Sequence, residues 1–200
     1  MNGKITFVQN KNNCIVQEIN TKGDCSMTIK MNNIKDYDIY IATMDDADAI
    51  LNLLKETALW VSEKHPEQWD TVIAGEDDKE ILNGIRNHET FMIKDHDGKL
   101  IATFTLYDHQ NEWDKGLWGI REDNAAYLHK IAIHPNYTGG GLGKEIIDWI
   151  IEYLTRKGKE IFRLDCVEDN EKLNEFYGKK CGLTKVGANK GYSLYEKHLK

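Results

Sequence analysis

A glycine-rich segment between residues 134 and 144 carries the clearest chemical signal in the sequence. It reads His134-Pro135-Asn136-Tyr137-Thr138-Gly139-Gly140-Gly141-Leu142-Gly143-Lys144 and joins an apolar run to an amphipathic one. Glycine lets the backbone approach a ligand closely, and the first N–H groups of a helix lack partners within that helix. Together with the positive end of the helix dipole, such groups can hold an anion. The segment is therefore either a phosphate-binding turn or a flexible connection.

Two familiar phosphate loops do not fit this spacing. A P-loop needs a glycine five residues before a Gly-Lys pair and Ser or Thr after it. Here Gly143-Lys144 has Thr138 and Glu145 at those two places. A dinucleotide fingerprint needs glycines at offsets 0, 2 and 5. Counted from Gly139 or from Gly141, the last place is not glycine, so both loops are excluded.

The segment resembles the central signature of the GNAT superfamily of acetyl-CoA-dependent N-acetyltransferases. Members have a strand, a proline and then Arg/Gln-x-x-Gly-x-Gly/Ala at the start of a helix. The glycine places match here, while Thr138 stands where the family has Arg or Gln. The family's later strand–Asn–helix–Phe-Tyr–Gly-Phe block also matches, with leucine at its final place: Arg163-Leu164-Asp165-Cys166, Asn170, Leu173, Phe176-Tyr177 and Cys181-Gly182-Leu183. Both blocks stand in the family's order and separation.

The resemblance implies an α/β (α+β) fold over residues 37–200. Its central sheet would be mixed and mostly antiparallel, with helices on both faces and a splay between the strands at 127–133 and 160–166. The implied activity is transfer of an acetyl group from acetyl-CoA to a primary amine of a small molecule or peptide, by direct attack in a ternary complex. No metal is implied. The alternative is a non-catalytic acyl-CoA-binding regulatory module.

The resemblance also implies where acetyl-CoA would bind. The pantetheine arm would lie in the splay and pair with the backbone of the first of the two strands. The pyrophosphate would lie on the amides of the glycine turn. The residues implied in binding are Ile131, Ala132, Ile133, Thr138, Gly139, Gly140, Gly141, Leu142, Gly143, Lys144 and Asn170. Asn170 has an alternative role as a plain N-cap of the last helix.

An amine nucleophile requires a base. A primary amine with a pKa near ~10.4 is about one part in a thousand neutral at pH 7.4, a penalty of roughly 4 kcal/mol. His129 lies on the strand beside the implied thioester, and a histidine suits proton transfer near neutral pH. If the strand alternates without a bulge, Tyr127, His129, Ile131 and Ile133 share one face. Two alternatives remain. His129 is a packed structural residue, or the base is Glu122 or Asp123.

The leaving thiolate requires a proton. Tyr177 matches the tyrosine that usually serves as general acid in the family, and core packing is its alternative role. The acceptor would enter between the first helices and the later loops, where aromatic and imidazole side chains are available. These residues are Trp60, His65, Trp69 and Trp113. Their role is either to line the acceptor site or to pack in the core.

The residue pattern predicts one domain of strand–helix–strand units. Strands are predicted at 39–42, 90–94, 100–107, 127–133, 160–166, 183–186 and 192–195, and helices up to Lys64 and at 77–86, 142–156 and 170–179. Thr43 and Asp46 form a capping box before the first helix. An aromatic-rich loop holds Trp113 and Trp118. Residues 1–36 are predicted to be an accessory arm, a β-hairpin that packs on the main sheet or on a second subunit of a homodimer.

Composition narrows the partners. The formal net charge of −7 disfavours nucleic acid, because a polyanion binder needs a basic face, and it favours amine-bearing partners. The four cysteines form no CxxC pair and read as reduced thiols of a cytoplasmic protein. No apolar run reaches the length of a membrane span, and the N-terminus lacks a signal-peptide core, so no membrane partner is expected.

Overall fold

The computed structural model describes residues 8–9, 15–18, 27–34, 37–66 and 68–200. The chain divides into two compact units. The first contains Met1–Thr105 and Lys130–Tyr137, and the second contains Leu106–His129 and Thr138–Lys200.

Six strands of the first unit follow one another in chain order, each antiparallel to the next. They are β1 (Val8–Gln9), β2 (Ile15–Glu18), β3 (Met27–Ile34), β4 (Tyr37–Ile41), β5 (Thr90–Lys94) and β6 (Leu100–Tyr107), whose last two residues belong to the second unit. The hairpin of β5 and β6 has the predicted bounds. Its turn is set by Gly98, at a φ of 79°, and by the Asp95 carboxylate, which accepts from the N–H groups of Asp97 and Lys99.

In the described part of the first unit, the α-helices are α1 (Ala47–Ser62), α2 (Asp70–Ala74) and α3 (Asp78–Arg86). The predicted capping box is confirmed, because the Thr43 N–H donates to Asp46 Oδ2 over 3.0 Å. Buried apolar residues recur on α1 and α3 at helical spacing and form one core with residues of the strands. That core contains Ala42, Ala47, Ile50, Leu54, Ala58, Val72, Ile81, Ile85 and Ala132. Helix α2 was not predicted.

The second unit alternates strands and helices. In chain order it contains α4 (Glu112–Trp118), β7 (Ala125–Ile133, of which Ala125–His129 belong here), α5 (Leu142–Arg156), β8 (Ile161–Val167), α6 (Glu171–Glu175), a π-turn (Phe176–Lys180), β9 (Thr184–Asn189) and β10 (Tyr192–His198). β10 is antiparallel to both β8 and β9. β7 is parallel to β8 from the pair Ala125–Ile161 to the pair Leu128–Leu164, and both strands continue past that ladder. The fold class implied by the resemblance is confirmed.

The prediction of an aromatic-rich loop is wrong for residues 112–118. These residues form α4, whose Leu117 and Trp118 are buried in a core with Tyr107 and Tyr127. The helix starts at a reciprocal cap, in which Asn111 Oδ1 accepts from the Asp114 N–H over 2.8 Å and Asp114 Oδ2 accepts from the Asn111 N–H over 3.1 Å. Asparagine followed three residues later by aspartate is a helix-start signal of the capping-box type.

The alternation of β7 is interrupted at Lys130. This residue has a φ of 51°, in the left-handed region that few residues other than glycine adopt. Its ammonium lies 2.5 Å from Asp77 Oδ2, and that partly buried ion pair holds the residue in place. The shared face predicted for Tyr127, His129, Ile131 and Ile133 required unbroken alternation, so it does not hold past His129.

Among the described residues, none of the helices combines the length and the apolar character that crossing a membrane requires.

Candidate active site

The glycine turn presents open backbone at the start of a long helix. Gly139 and Gly141 have φ values of 81° and 89°, and Gly141 is the N-cap of the 15-residue helix α5. A Cβ atom built on Gly139, Gly140 or Gly141 would meet no heavy atom within 4 Å. Thr138 and these glycines are exposed, whereas Leu142 is buried. The turn therefore has the free space and the dipole end that an anion site requires.

Helix α5 is anchored by one apolar face. Ile146, Ile147 and Ile150 are fully buried on it, so the turn that begins the helix is held by the core. Lys144, one turn into the helix, forms an ion pair with Asp148 on the outer face. This hydrogen bond raises the pKa of Lys144, and its ammonium stays charged. The backbone N–H of Lys144 donates to the Gly141 carbonyl over 3.0 Å, within the first turn of the helix.

Three of the predicted binding residues lie on the part of β7 that belongs to the first unit. Ala132 is 1% exposed and its methyl group is part of the core of that unit. Ile131 and Ile133 are half-buried. Because its side chain is buried, Ala132 could contact a ligand only through its main-chain groups.

Asn170 caps the last helix. Its side-chain oxygen accepts from the Leu173 N–H over 3.2 Å, and the residue is 5% exposed. The N-cap role considered for Asn170 is therefore present. A second amide, Asn174, was not predicted: its Nδ2 donates to the carbonyls of Val167 and Asn170, and its Oδ1 accepts from the Tyr195 hydroxyl over 3.0 Å.

Tyr177 lies in the π-turn that follows α6. The predicted helix at 170–179 is α-helical only to Glu175, and the wider turn that follows carries the Tyr177 ring into the interior, where 5% of the residue is exposed. The ring lies 5.1 Å from that of Phe176 and 6.0 Å from that of Tyr195. Burial raises the pKa of Tyr177, and the nearby Cys166 and Cys181 add to this shift. The phenol therefore stays protonated at neutral pH.

Two buried cysteine thiols lie near Tyr177. Burial raises the pKa of Cys166 to about 12, with a further contribution from Asp165. Burial raises the pKa of Cys181 to about 11, partly offset by Lys144. Since the thiolate is the nucleophilic form of cysteine, neither residue is an activated nucleophile near neutral pH.

His129 is paired with a buried carboxylate. Its Nε2 lies 3.1 Å from Asp114 Oδ1 and 3.2 Å from Asp114 Oδ2. The Asp114 side chain is 1% exposed and that of His129 is 10% exposed. The Tyr107 ring packs 5.1 Å from the imidazole. His129 thus both packs against an aromatic ring and hydrogen-bonds a buried carboxylate.

Asp123, one of the alternative bases, is held by Arg163. The guanidinium donates to both Asp123 oxygens, over 2.8 and 2.5 Å, and to the Tyr127 hydroxyl over 2.8 Å. It also lies 5.1 Å from the centre of the Trp118 ring. The hydrogen bond from Arg163 lowers the pKa of Asp123, which makes that carboxylate a poor base. Glu122, the other alternative, is exposed.

The aromatic residues considered for acceptor binding are placed differently. In the second unit Trp113 is 44% exposed, donates from Nε1 to Asp165 over 3.2 Å and meets the Tyr192 ring edge-on at 4.9 Å. In the first unit Trp60 is 41% exposed with the Lys64 ammonium above its ring, and Trp69 packs against the core. Trp113 offers a π-face beside a carboxylate, a combination that attracts cations.

Comparison with known proteins defines the class. The chain matches the model of the acetyltransferase (GNAT) family over residues 48–183. It is 34% identical over 160 residues to the uncharacterized N-acetyltransferase YesJ of Bacillus subtilis, covering 79% of this chain and 88% of that protein. A GNAT-family acetyltransferase of Listeria monocytogenes has a similar structure, with a TM-score of 0.71 and 30% identity over 82% of this chain and 95% of that one.

The fold is also similar to that of the PaiA N-acetyltransferase of Thermoplasma acidophilum, whose structure is a complex with coenzyme A. The TM-score is 0.63 at 20% identity, covering 81% of this chain and 98% of that one. The chain belongs to the GNAT family and is an acetyltransferase.

Proposed function

We propose that this chain transfers an acetyl group from acetyl-CoA to a primary amine of a small molecule or peptide, by direct attack in a ternary complex. The observation that carries the proposal is the glycine turn, whose left-handed Gly139 and Gly141 open the backbone at the N-terminus of α5. In this proposal the amides from Gly139 to Gly143 bind the pyrophosphate of CoA. In the same unit, Asn170 binds the pantetheine arm.

Direct attack is supported by the state of the cysteines. A double-displacement route needs a nucleophilic side chain to carry the acetyl group between two half-reactions. Among the described residues the thiols nearest to Tyr177 are Cys166 and Cys181, whose raised pKa values keep them protonated. The amine nitrogen therefore forms its bond to the thioester carbon, and the carbon–sulfur bond breaks without an acyl-enzyme.

In the proposed mechanism two side chains move the protons. His129 accepts a proton from the amine, directly or through water, because a neutral nitrogen is needed for attack. Tyr177 donates its phenolic proton to the departing thiolate and regains a proton from the second one that the nitrogen loses as the amide forms. The acceptor is expected to be cationic, since the net charge of −7 and the pairing of Trp113 with Asp165 favour an ammonium group.

The proposal is tested by measuring thiol release from acetyl-CoA with a panel of polyamines, aminoglycosides, amino acids and peptides. We expect release to require an added amine and to rise with its concentration. A non-catalytic acyl-CoA-binding module is the second candidate, and Thr138 at the usual Arg/Gln place favours it. Calorimetric binding of acetyl-CoA, with no amine-dependent release across the panel, would support that candidate instead.

Tyr177→Phe tests the general acid. Phenylalanine keeps the packing against Phe176 and Tyr195 and removes only the hydroxyl. We expect kcat to fall by roughly 100- to 1,000-fold with acetyl-CoA affinity nearly unchanged, within the range typical of a general acid or base. Steady-state kinetics and calorimetry measure the two quantities.

The matched control is Tyr195→Phe, which removes the hydroxyl of the neighbouring ring. That hydroxyl donates to Asn174 Oδ1. The substitution should cost far less turnover. A fully active Tyr177→Phe enzyme, with chemistry shown to be rate-limiting, would mean that solvent protonates the thiolate.

A further inference from the structure

Asp114 and His129 form a pair whose geometry selects one form of the imidazole. An ionised carboxylate can only accept hydrogen bonds. Because both Asp114 oxygens lie within 3.2 Å of His129 Nε2, that nitrogen must carry the proton. In the neutral ring the lone pair is then on Nδ1, the nitrogen turned away from Asp114.

The Asp114 carboxylate is held by the cap of its own helix. Asp114 Oδ2 accepts from the Asn111 N–H at the start of α4, and the Asp114 N–H donates to Asn111 Oδ1. Two residues of the same helix, Leu117 and Trp118, are buried in the core of the second unit. These contacts leave Asp114 little freedom, so its position determines the orientation of the His129 ring.

A carboxylate this deeply buried needs a charged or donor partner, because an unpaired buried charge is costly. The His129 imidazole supplies that partner. When Nδ1 takes up a proton, the imidazolium lies directly beside the Asp114 carboxylate. The pair is therefore suited to accepting a proton at Nδ1 and poorly suited to accepting one at Nε2.

We propose that Asp114 is the positioning residue of the reaction, holding His129 with Nε2 protonated and Nδ1 presented as the basic nitrogen to the amine or to a water bound by it. This inference rests on the proposed function of His129 as the base. Asp114 does not itself exchange a proton with the substrate. The proton leaves the amine nitrogen, binds Nδ1 and is released to solvent after the acetylated product departs.

The first measurement concerns the intact protein and needs no variant. Long-range ¹H–¹⁵N correlation spectra of ¹⁵N-histidine-labelled chain, recorded over a range of pH, distinguish the two neutral tautomers from each other and from the charged ring. His129→Ala identifies the His129 signals by their loss. We expect the Nε2–H tautomer for His129. The Nδ1–H tautomer would overturn the proposal.

The second measurement is kinetic. Asp114→Asn replaces the anion by a neutral amide that can donate as well as accept, so the ring is free to take the other tautomer. We expect kcat to fall by about 10²-fold, with the acetyl-CoA Kd unchanged, because orientation of the base acts on the chemical step. Glu112→Gln is the control: it removes an exposed carboxylate from the same helix and should leave kcat within about twofold of wild type, since exposed pairs contribute little.

The outcomes separate this inference from the proposed function. If His129→Ala slows turnover while Asp114→Asn matches wild type, His129 remains the base and Asp114 is not its positioning residue. If His129→Ala matches wild type, both the base and its positioning residue are wrong. If both variants slow turnover and the acetyl-CoA Kd stays constant, the pair acts as proposed.

Discussion

Gly141→Asp is expected to abolish binding of acetyl-CoA to a chain that remains folded. Gly141 has a φ of 89°, and a Cβ atom added there meets no heavy atom within 4 Å in the free chain. The left-handed backbone costs a residue with a side chain about 1–2 kcal/mol. The larger effect is on the ligand, because the substitution places a negative charge and extra volume where the pyrophosphate is proposed to lie. Isothermal titration measures it.

Two further variants separate the causes. Gly158→Asp makes the same change at the other end of α5, at a φ of 75° and also in open space, and should bind acetyl-CoA like wild type. Gly141→Asn has nearly the same shape without the charge and should retain more affinity than Gly141→Asp. Charge–charge effects at contact distance are large. If a folded Gly141→Asp chain bound acetyl-CoA with a Kd within about twofold of wild type, the pyrophosphate could not lie at this turn.

Arg163→Ala is expected to lower the free energy of unfolding by about 3–5 kcal/mol, the cost of breaking a buried ion pair from one side. Arg163 is 3% exposed and donates to Asp123, Tyr127 and Glu196. Its loss removes the hydrogen bond to the Tyr127 hydroxyl and the contact with the Trp118 ring. For a chain of this length the shift corresponds to a decrease in Tm of about 6–20 °C. Urea and thermal unfolding followed by circular dichroism measure both.

Arg156→Ala is the control for loss of an arginine. Its guanidinium is 44% exposed and pairs with the exposed Glu152 along α5, so it should cost at most about 0.5 kcal/mol. An Arg163→Ala shift no larger than this would contradict a structural role for the Arg163 network.

The same network predicts how stability depends on acid. Arg163 lowers the pKa of Asp123 below its unfolded value of about 3.9. A carboxylate with a lowered pKa stabilises the fold above its unfolded pKa, and this contribution disappears as the pH falls through its folded pKa. Wild type should therefore lose stability more steeply than Arg163→Ala between about pH 4 and pH 2.

The features that the sequence predicted well are encoded locally. The bounds of α5 follow from the spacing of Ile146, Ile147, Ile150 and Leu154, and the β5–β6 hairpin follows from the turn ending at Gly98. Helix α4 was missed although its cap signal was present, because the surrounding aromatic and polar residues suggested a loop.

Other features depend on residues far apart in the chain. The left-handed backbone of Lys130 accompanies an ion pair with Asp77, 53 residues away. The pairing of His129 with Asp114 and that of Arg163 with Asp123 likewise bring together residues from separate elements. A histidine on a strand or an arginine in a motif gives no indication of its partner. These contacts therefore required the folded structure.

The central claim is direct acetyl transfer from acetyl-CoA to an amine, and initial rates measured over a grid of both substrate concentrations test it most directly. With a reactive amine, we expect reciprocal plots whose lines intersect, and one N-acetylated amine for each CoA thiol released. Intact-mass spectra of the chain taken during turnover should show no acetylated cysteine. Parallel lines together with an acetyl group on Cys166 or Cys181 would contradict the account, and so would thiol release that does not depend on the amine.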